Sequence, residues 1–174
     1  MRQTIGDMVR SMLVVLAFVV VLLIVTWRPQ PEAVKVVDPT PAISRATLAA
    51  DFPLEVPMGL GEGWRPTSSR WEPTAKSAPD PVLHIGYVTP GDEYAQVSQS
   101  ANASDPYTAE QTDDGIDVGT QAVEDVNWQR WESGDRHSLG RIADGTTTIV
   151  SGTAGWDELI VLASSLEPAP ELVP

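Results

Sequence analysis

The chain has 174 residues, room for one domain of ordinary size with an anchor and a linker, and too few for two full cores. Its formal charge is −13, and residues 36–174 hold 7 basic against 22 acidic residues, a net of −15. So negative a surface repels phosphate backbones and anionic headgroups, which counts against nucleic acid as a partner and leaves solubility as the plain reading of the acidity. Without cysteine, disulfide scaffolds, thiolate metal sites, lipid attachment through sulfur and catalytic thiols all fall together.

Met12 to Val25 are apolar without exception, inside a permissive window from Met8 to Trp27 that only Arg10 and Ser11 interrupt. That is about the length that crosses a hydrocarbon core of about 30 Å at about 1.5 Å per residue. In lipid an unpaired backbone group is costly, so the segment is expected to be helical in spite of its many β-branched residues. Trp27 and Arg28 suit the headgroup boundary. A cleaved secretory signal is the competing reading, but Thr26 to Glu32 offers no small-x-small cleavage site, so an uncleaved signal-anchor is expected. Arg2, Arg10 and the amino terminus face Arg28 and Lys35 across the segment. The expected arrangement is a single pass through the cell membrane: residues 1–11 a cytoplasmic tail, 12–27 the transmembrane anchor, and the rest extracytoplasmic.

Residues 28–47 carry Pro29, Pro31, Pro39 and Pro41 among mixed charges and read as an extended Pro-rich linker. A short amphipathic helix around Ser44–Asp51 opens the folded part, an α+β domain expected over residues 48–168, with 169–174 a disordered tail. Phe52 to Pro66 is broken by Pro53, Pro57, Gly59, Gly61 and Gly63, after which Trp64–Trp71 reads as a first strand whose Pro66 suits an edge. Val82–Val88 is the clearest strand, turning at Pro90-Gly91-Asp92 into Tyr94–Gln99. Residues 100–115 are polar, with room for one helical turn after Pro106. A meander follows through Gln121–Val126, Asn127–Ser133, Ser138–Ala143 and Thr146–Ser151, with Asp144-Gly145 as a two-residue loop that demands positive φ. Gly155-Trp156-Asp157-Glu158 starts a helix with Trp156, Leu159, Ile160, Ala163 and Leu166 on one face, ended by Pro168. The sum is an antiparallel β-sheet with a C-terminal helix packed on one face.

The search for chemistry assigns no catalytic, cofactor-binding or metal-ligating residue. His84 and His137 lie in different strands without metal-ligand spacing, and a lone strand histidine is more often structural. Asp113-Asp114-Gly115-Ile116-Asp117 lacks the alternating ligands and closing glutamate of a calcium loop. There is no Gly-x-Ser-x-Gly elbow, and Ser138 beside His137 points to the opposite face of a strand. Gly59-Leu60-Gly61-Glu62-Gly63 is followed by Trp-Arg-Pro and not by a helix start, so it reads as a turn. What stands out is tryptophan: Trp64, Trp71, Trp128, Trp131 and Trp156 all fall beyond the linker. Trp128 and Trp131 have opposite parity on a strand, so one faces the helix and the other water or a partner. Trp128, Arg130 and Trp131 are therefore the candidate contacts for a protein or glycan.

Gly63-Trp64-Arg65-Pro66, the strand His84-Ile85-Gly86-Tyr87, and Ser151-Gly152-Thr153-Ala154 with Glu158-Leu159 and Ser165-Leu166 behind it carry a resemblance. With the apolar N-terminal segment they resemble, over roughly Met8 to Leu166, the actinobacterial membrane family known only as domain of unknown function forty-two forty-five. The resemblance implies an envelope protein with one span and supplies no reaction, ligand or catalytic residue. The reading is a non-enzymatic interaction or ligand-sensing module of the cell envelope, its partner an envelope protein or a small ligand. The alternative is an envelope hydrolase, or a carrier of lipid or another hydrophobic ligand, with a site assembled from scattered residues. A clustered, concave site with a buried histidine or acid pair favours the enzyme, a large dry pocket the carrier, and a flat acidic face with an exposed tryptophan the binder.

Overall fold

Seven segments between Arg65 and Gly152 fold into one antiparallel sheet of seven strands. The computed structural model describes residues 5–26, 35–76, 78–101 and 104–170; in the first of these stretches it describes the side chains of residues 9, 10 and 12–20. The chain divides into two units, Met1–Ala33 and Val34–Pro174.

In the first unit, Ile5–Thr26 form helix α1, 22 residues long. Its described apolar side chains, from Val9 and Met12 to Val20, are exposed on all sides, Met12 at 72%. Among the described residues no helix is long and apolar enough to cross a membrane. The expected anchor at 12–27 runs past the described side chains, and residues 27–34 lie outside the described residues.

In the second unit, strands β2 (Arg65–Glu72), β3 (Val82–Val88) and β4 (Tyr94–Ala101) form one meander. Strands β5 (Ile116–Val123), β6 (Val126–Ser133), β7 (Arg136–Ala143) and β8 (Thr146–Gly152) form another. The two join through β4 and β8, giving the order β2-β3-β4-β8-β7-β6-β5. Asp144 (φ 49°) and Gly145 (φ 78°) make the expected two-residue loop between β7 and β8.

One face of the sheet is covered by α2 (Thr40–Ala49) and α4 (Trp156–Ser164). Leu83, Ile85, Val97, Trp128, Leu139 and Val150 bury here against Leu159 and Leu162. Helix α4 begins at Gly155 as expected, and Leu159 and Ala163 of its expected face are buried. It stops at Ser164, so Leu166 lies on a short strand β9 (Leu166–Pro168), which pairs with β1 (Glu55–Pro57) as a separate ribbon. Gln99, wholly buried, holds that ribbon to the sheet: it accepts from the Glu55 N–H at 2.9 Å and donates to the Glu55 carbonyl at 2.5 Å. Arg141 adds an ion pair to the Glu55 carboxylate.

Four expected boundaries shift. Helix α2 starts at Thr40, inside the segment read as linker, because Pro39 and Pro41 sit where a helix tolerates proline, at its first turn. Its Ala42 and Ala46 bury in the core, and Val37 N–H donates to the Pro66 carbonyl. The polar stretch before residue 115 holds two turns of helix, α3 (Asp105–Thr112), capped by the Ser104 side chain. Asp113 and Asp114 take the left-handed conformation that ends it. The strand expected at 121–126 runs instead from Ile116 to Val123, with Glu124-Asp125 as the turn. At the other end, Ala169 donates to the Leu54 carbonyl, so folded structure continues past Pro168.

Candidate functional site

The face of the sheet opposite α4 is built differently. Register places Trp131 of β6 opposite Ser138 of β7, and Gln129 opposite Gly140. Trp131 therefore lies diagonally across Gly140, where a Cβ would come within 2.7 Å of its Cζ3. The absent side chain lets the indole lie along the strand, half-buried. Helix α3 covers only part of this face, with Tyr107 packed on Ile149, Val82 and Ala78. Beside it an open trough of about 380 Å³ remains over β5 to β8.

Trp131, Gly140, Ile142 and Ile149 supply the apolar surface of the trough, and Ile142 is 72% exposed. Asn127, Thr108 and Thr120 stand around it with no side-chain partner among the described residues. Gln129 spends its amide hydrogens on Asp117 Oδ1 and the Gly119 carbonyl, which leaves its own oxygen available. Thr147 also lines the trough, and its hydroxyl is buried without a partner among the described residues. Arg141 is the cation among the lining residues, and its guanidinium is committed to Glu55 and to the Trp128 ring, 5.0 Å away. No carboxylate is among the lining residues.

A second polar group lies farther along the same face. His84 on β3 pairs in register with Ser98 on β4, and the two touch, Nδ1 to Oγ, at 2.9 Å. Gln96 donates to Ser98 Oγ at 2.8 Å and accepts from the Tyr94 hydroxyl at 2.9 Å. Burial, with the Arg70 guanidinium beside it, lowers the His84 imidazole to about 4, against the pull of Glu72 and Glu110. At neutral pH it is uncharged and a weak base. Ser98 is wholly buried, so its oxygen is out of reach of a substrate. The arrangement is a satisfied polar network that ties β3 to β4.

The three contact residues expected from sequence separate. Trp128 is 2% exposed and packs in the core under α4, while Trp131 faces the trough, so their opposite parity holds. Arg130 lies on the α4 face, stacked 3.9 Å above the ring of Trp156 and not beside Trp131. His137 meets the same ring edge-on at 4.6 Å and contacts the Ala154 carbonyl, away from Ser138. Among the described residues no group of three or more His, Asp or Glu stands close enough to hold a metal ion. Asp117, in the acidic stretch, accepts from the Gly119 N–H at the bulge of β5. The trough itself was not legible, because it depends on the β6–β7 register and on where α3 stops.

A family model described as "Protein of unknown function (DUF4245)" matches residues 1–166. No curated protein matches the chain. Among solved structures, seven chains match. One is the crystal structure of MucB in complex with MucA(peri), at 19% identity and a TM-score of 0.43. That match takes in 67% of this chain and 37% of the other, so the chain spans little more than a third of that structure.

Proposed function

We propose, for a chain that belongs to this family of unknown function, that it is a non-enzymatic ligand-binding module held at a membrane surface. The observation that carries the binding reading is the trough over β5 to β8. It joins a half-buried aromatic and an exposed aliphatic side chain to a few uncommitted polar groups, the usual composition of a small-ligand site. The hydrolase reading loses its best constellation, since Ser98 is wholly buried and His84, which lines a polar hollow with Arg70, Glu72 and Glu110, is a poor base. The carrier reading asks for a large dry cavity, and this trough is open to water.

The membrane half of the proposal rests on the first unit. Met12 to Val25 have no polar side chain. Helix α1, at about 1.5 Å per residue, is about 33 Å long, and its described side chains are apolar around the whole circumference apart from Arg10. A helix apolar on every side is stable only when something apolar surrounds it. With Arg2 and Arg10 ahead of the apolar run Met12–Val25, this favours a single pass, an N-terminus in the cytoplasm and a C-terminal domain outside.

Two measurements test the proposal. Alkaline extraction of membranes from cells making the full chain is expected to leave it in the pellet. Recovery in the aqueous fraction would remove the anchor. Saturation-transfer NMR of the full chain in lipid nanodiscs, against a mixture of small uncharged solutes, is expected to mark binders that Trp131→Ala no longer marks. Binders that ignore this substitution would place the site elsewhere.

A further inference from the structure

We infer that the trough takes a neutral sugar, an uncharged pyranose unit within a glycan; the inference rests on the trough's being the binding site. Charge is the first argument. In a unit with a net of −14, the trough has no carboxylate among its lining residues, and its cation Arg141 is spent on Glu55. A cationic ligand, though drawn by the surrounding acidic surface, finds no carboxylate among the lining residues to pair with, and an anionic one meets the repulsion of that surface. An uncharged ligand escapes both penalties.

Shape and chemistry narrow the class. A pyranose ring has one face of C–H groups and an edge of hydroxyls, so it needs a flat apolar platform with donors and acceptors to the side. Trp131 supplies the platform, kept along the strand by the missing Cβ of Gly140. The Asn127 amide, the free Gln129 oxygen and the hydroxyls of Thr108 and Thr120 offer both donors and acceptors without charge. A purely apolar ligand would leave these groups desolvated and unpaired, which costs more than its burial returns. An extended peptide is served worse. The free edge of β5 beside the trough is interrupted by a bulge between Asp117 and Gly119, and Gly119 has a φ of 107° that breaks the run of strand hydrogen bonds.

The test is indole-region NMR of the full chain in nanodiscs, which carry no sugar detergent. The chain is titrated separately with cellotriose, maltotriose, diacetylchitobiose, a hyaluronan tetrasaccharide and the peptide acetyl-Thr-Val-Thr-Val-Thr-amide. At least one neutral saccharide is expected to shift the Trp131 Nε1–H signal, with the anionic hyaluronan fragment about tenfold weaker. Trp131→Ala is expected to weaken the neutral sugar about tenfold or more. Gly140→Ala, which pushes the indole off the strand while leaving the buried tryptophans' signals in place, is expected to weaken it severalfold. Shifts from the peptide alone would overturn the sugar and keep the site, and so would equal binding of the anionic fragment. Silence from every probe, or sugar binding that survives both substitutions, would overturn the sugar and the site together.

Discussion

The two faces of the seven-stranded sheet meet the same demand, covering a layer of side chains, in opposite ways. The face under α2 and α4 is closed by apolar surfaces, and its Trp128 is 2% exposed. The other face buries Ser98, Ser100, Ser138, Ser151 and Thr147, with His84 among them, under a short helix that leaves a trough open. An apolar interface gains from every methylene excluded from water, so the first face is where stability resides. Buried hydroxyls return little net free energy even when paired, and Thr147 has no partner among the described residues. The lesson is that one sheet divides its labour, with the fold secured on one side and a recognition surface left on the other.

Tryptophan substitution breaks the comparison most sharply. Trp128→Ala is expected to cost about 3–5 kcal/mol by the cavity it leaves, read from denaturant unfolding of the full chain. Trp131→Ala, half-buried on the open face, is expected to cost less than about 1.5 kcal/mol in the same measurement. Equal losses would erase the division. Next in size is the pH dependence of the polar face. The unfolded chain binds a proton at His84 below about 6.5, whereas the folded chain resists until about 4. Stability from this residue is therefore complete above pH 6.5 and declines as pH falls toward 4, by up to about 3 kcal/mol. Thermal melts over that range should show a shallower decline in His84→Asn than in the parent chain.

A smaller effect belongs to the closed face. Gln99→Ala removes both hydrogen bonds to Glu55 and is expected to cost about 1–3 kcal/mol. Hydrogen exchange should then quicken in β1 and β9 while β7 and β8 keep their protection. The smallest change sharpens the contrast from the other side. Thr147→Val keeps the shape and deletes an unpartnered hydroxyl, so it is expected to stabilise the chain by about 1 kcal/mol. A loss of stability there would mean that the hydroxyl has a partner in the folded protein.

How much of this was legible in the sequence follows the burial. Val82–Val88 and Thr146–Gly152 are buried over most of their length, and their β-branched runs announce them as strands. Strand β5 is exposed along nearly its whole length and bulged at Asp117, so its stretch before Gln121 shows no strand pattern until β6 pairs with it. Helix α2 hides behind two prolines that fit only its first turn. The β1–β9 ribbon joins segments from opposite ends of the unit, which no local pattern encodes. Of the site, parity alone separated Trp131 from Trp128. The platform under Trp131 and the contact of His84 with Ser98 both depend on cross-strand register, which side-chain types by themselves do not set.

The ribbon also sets an order of events. Its first strand, Glu55–Pro57, is made before all seven strands of the sheet, and its partner, Leu166–Pro168, after them. A nascent chain can assemble the meanders while that latch still hangs open, so closure waits until Leu166–Pro168 has emerged. A premature stop before Leu166 strands Glu55–Pro57 with its hydrogen-bonding edge bare, an invitation to pair with a neighbouring copy.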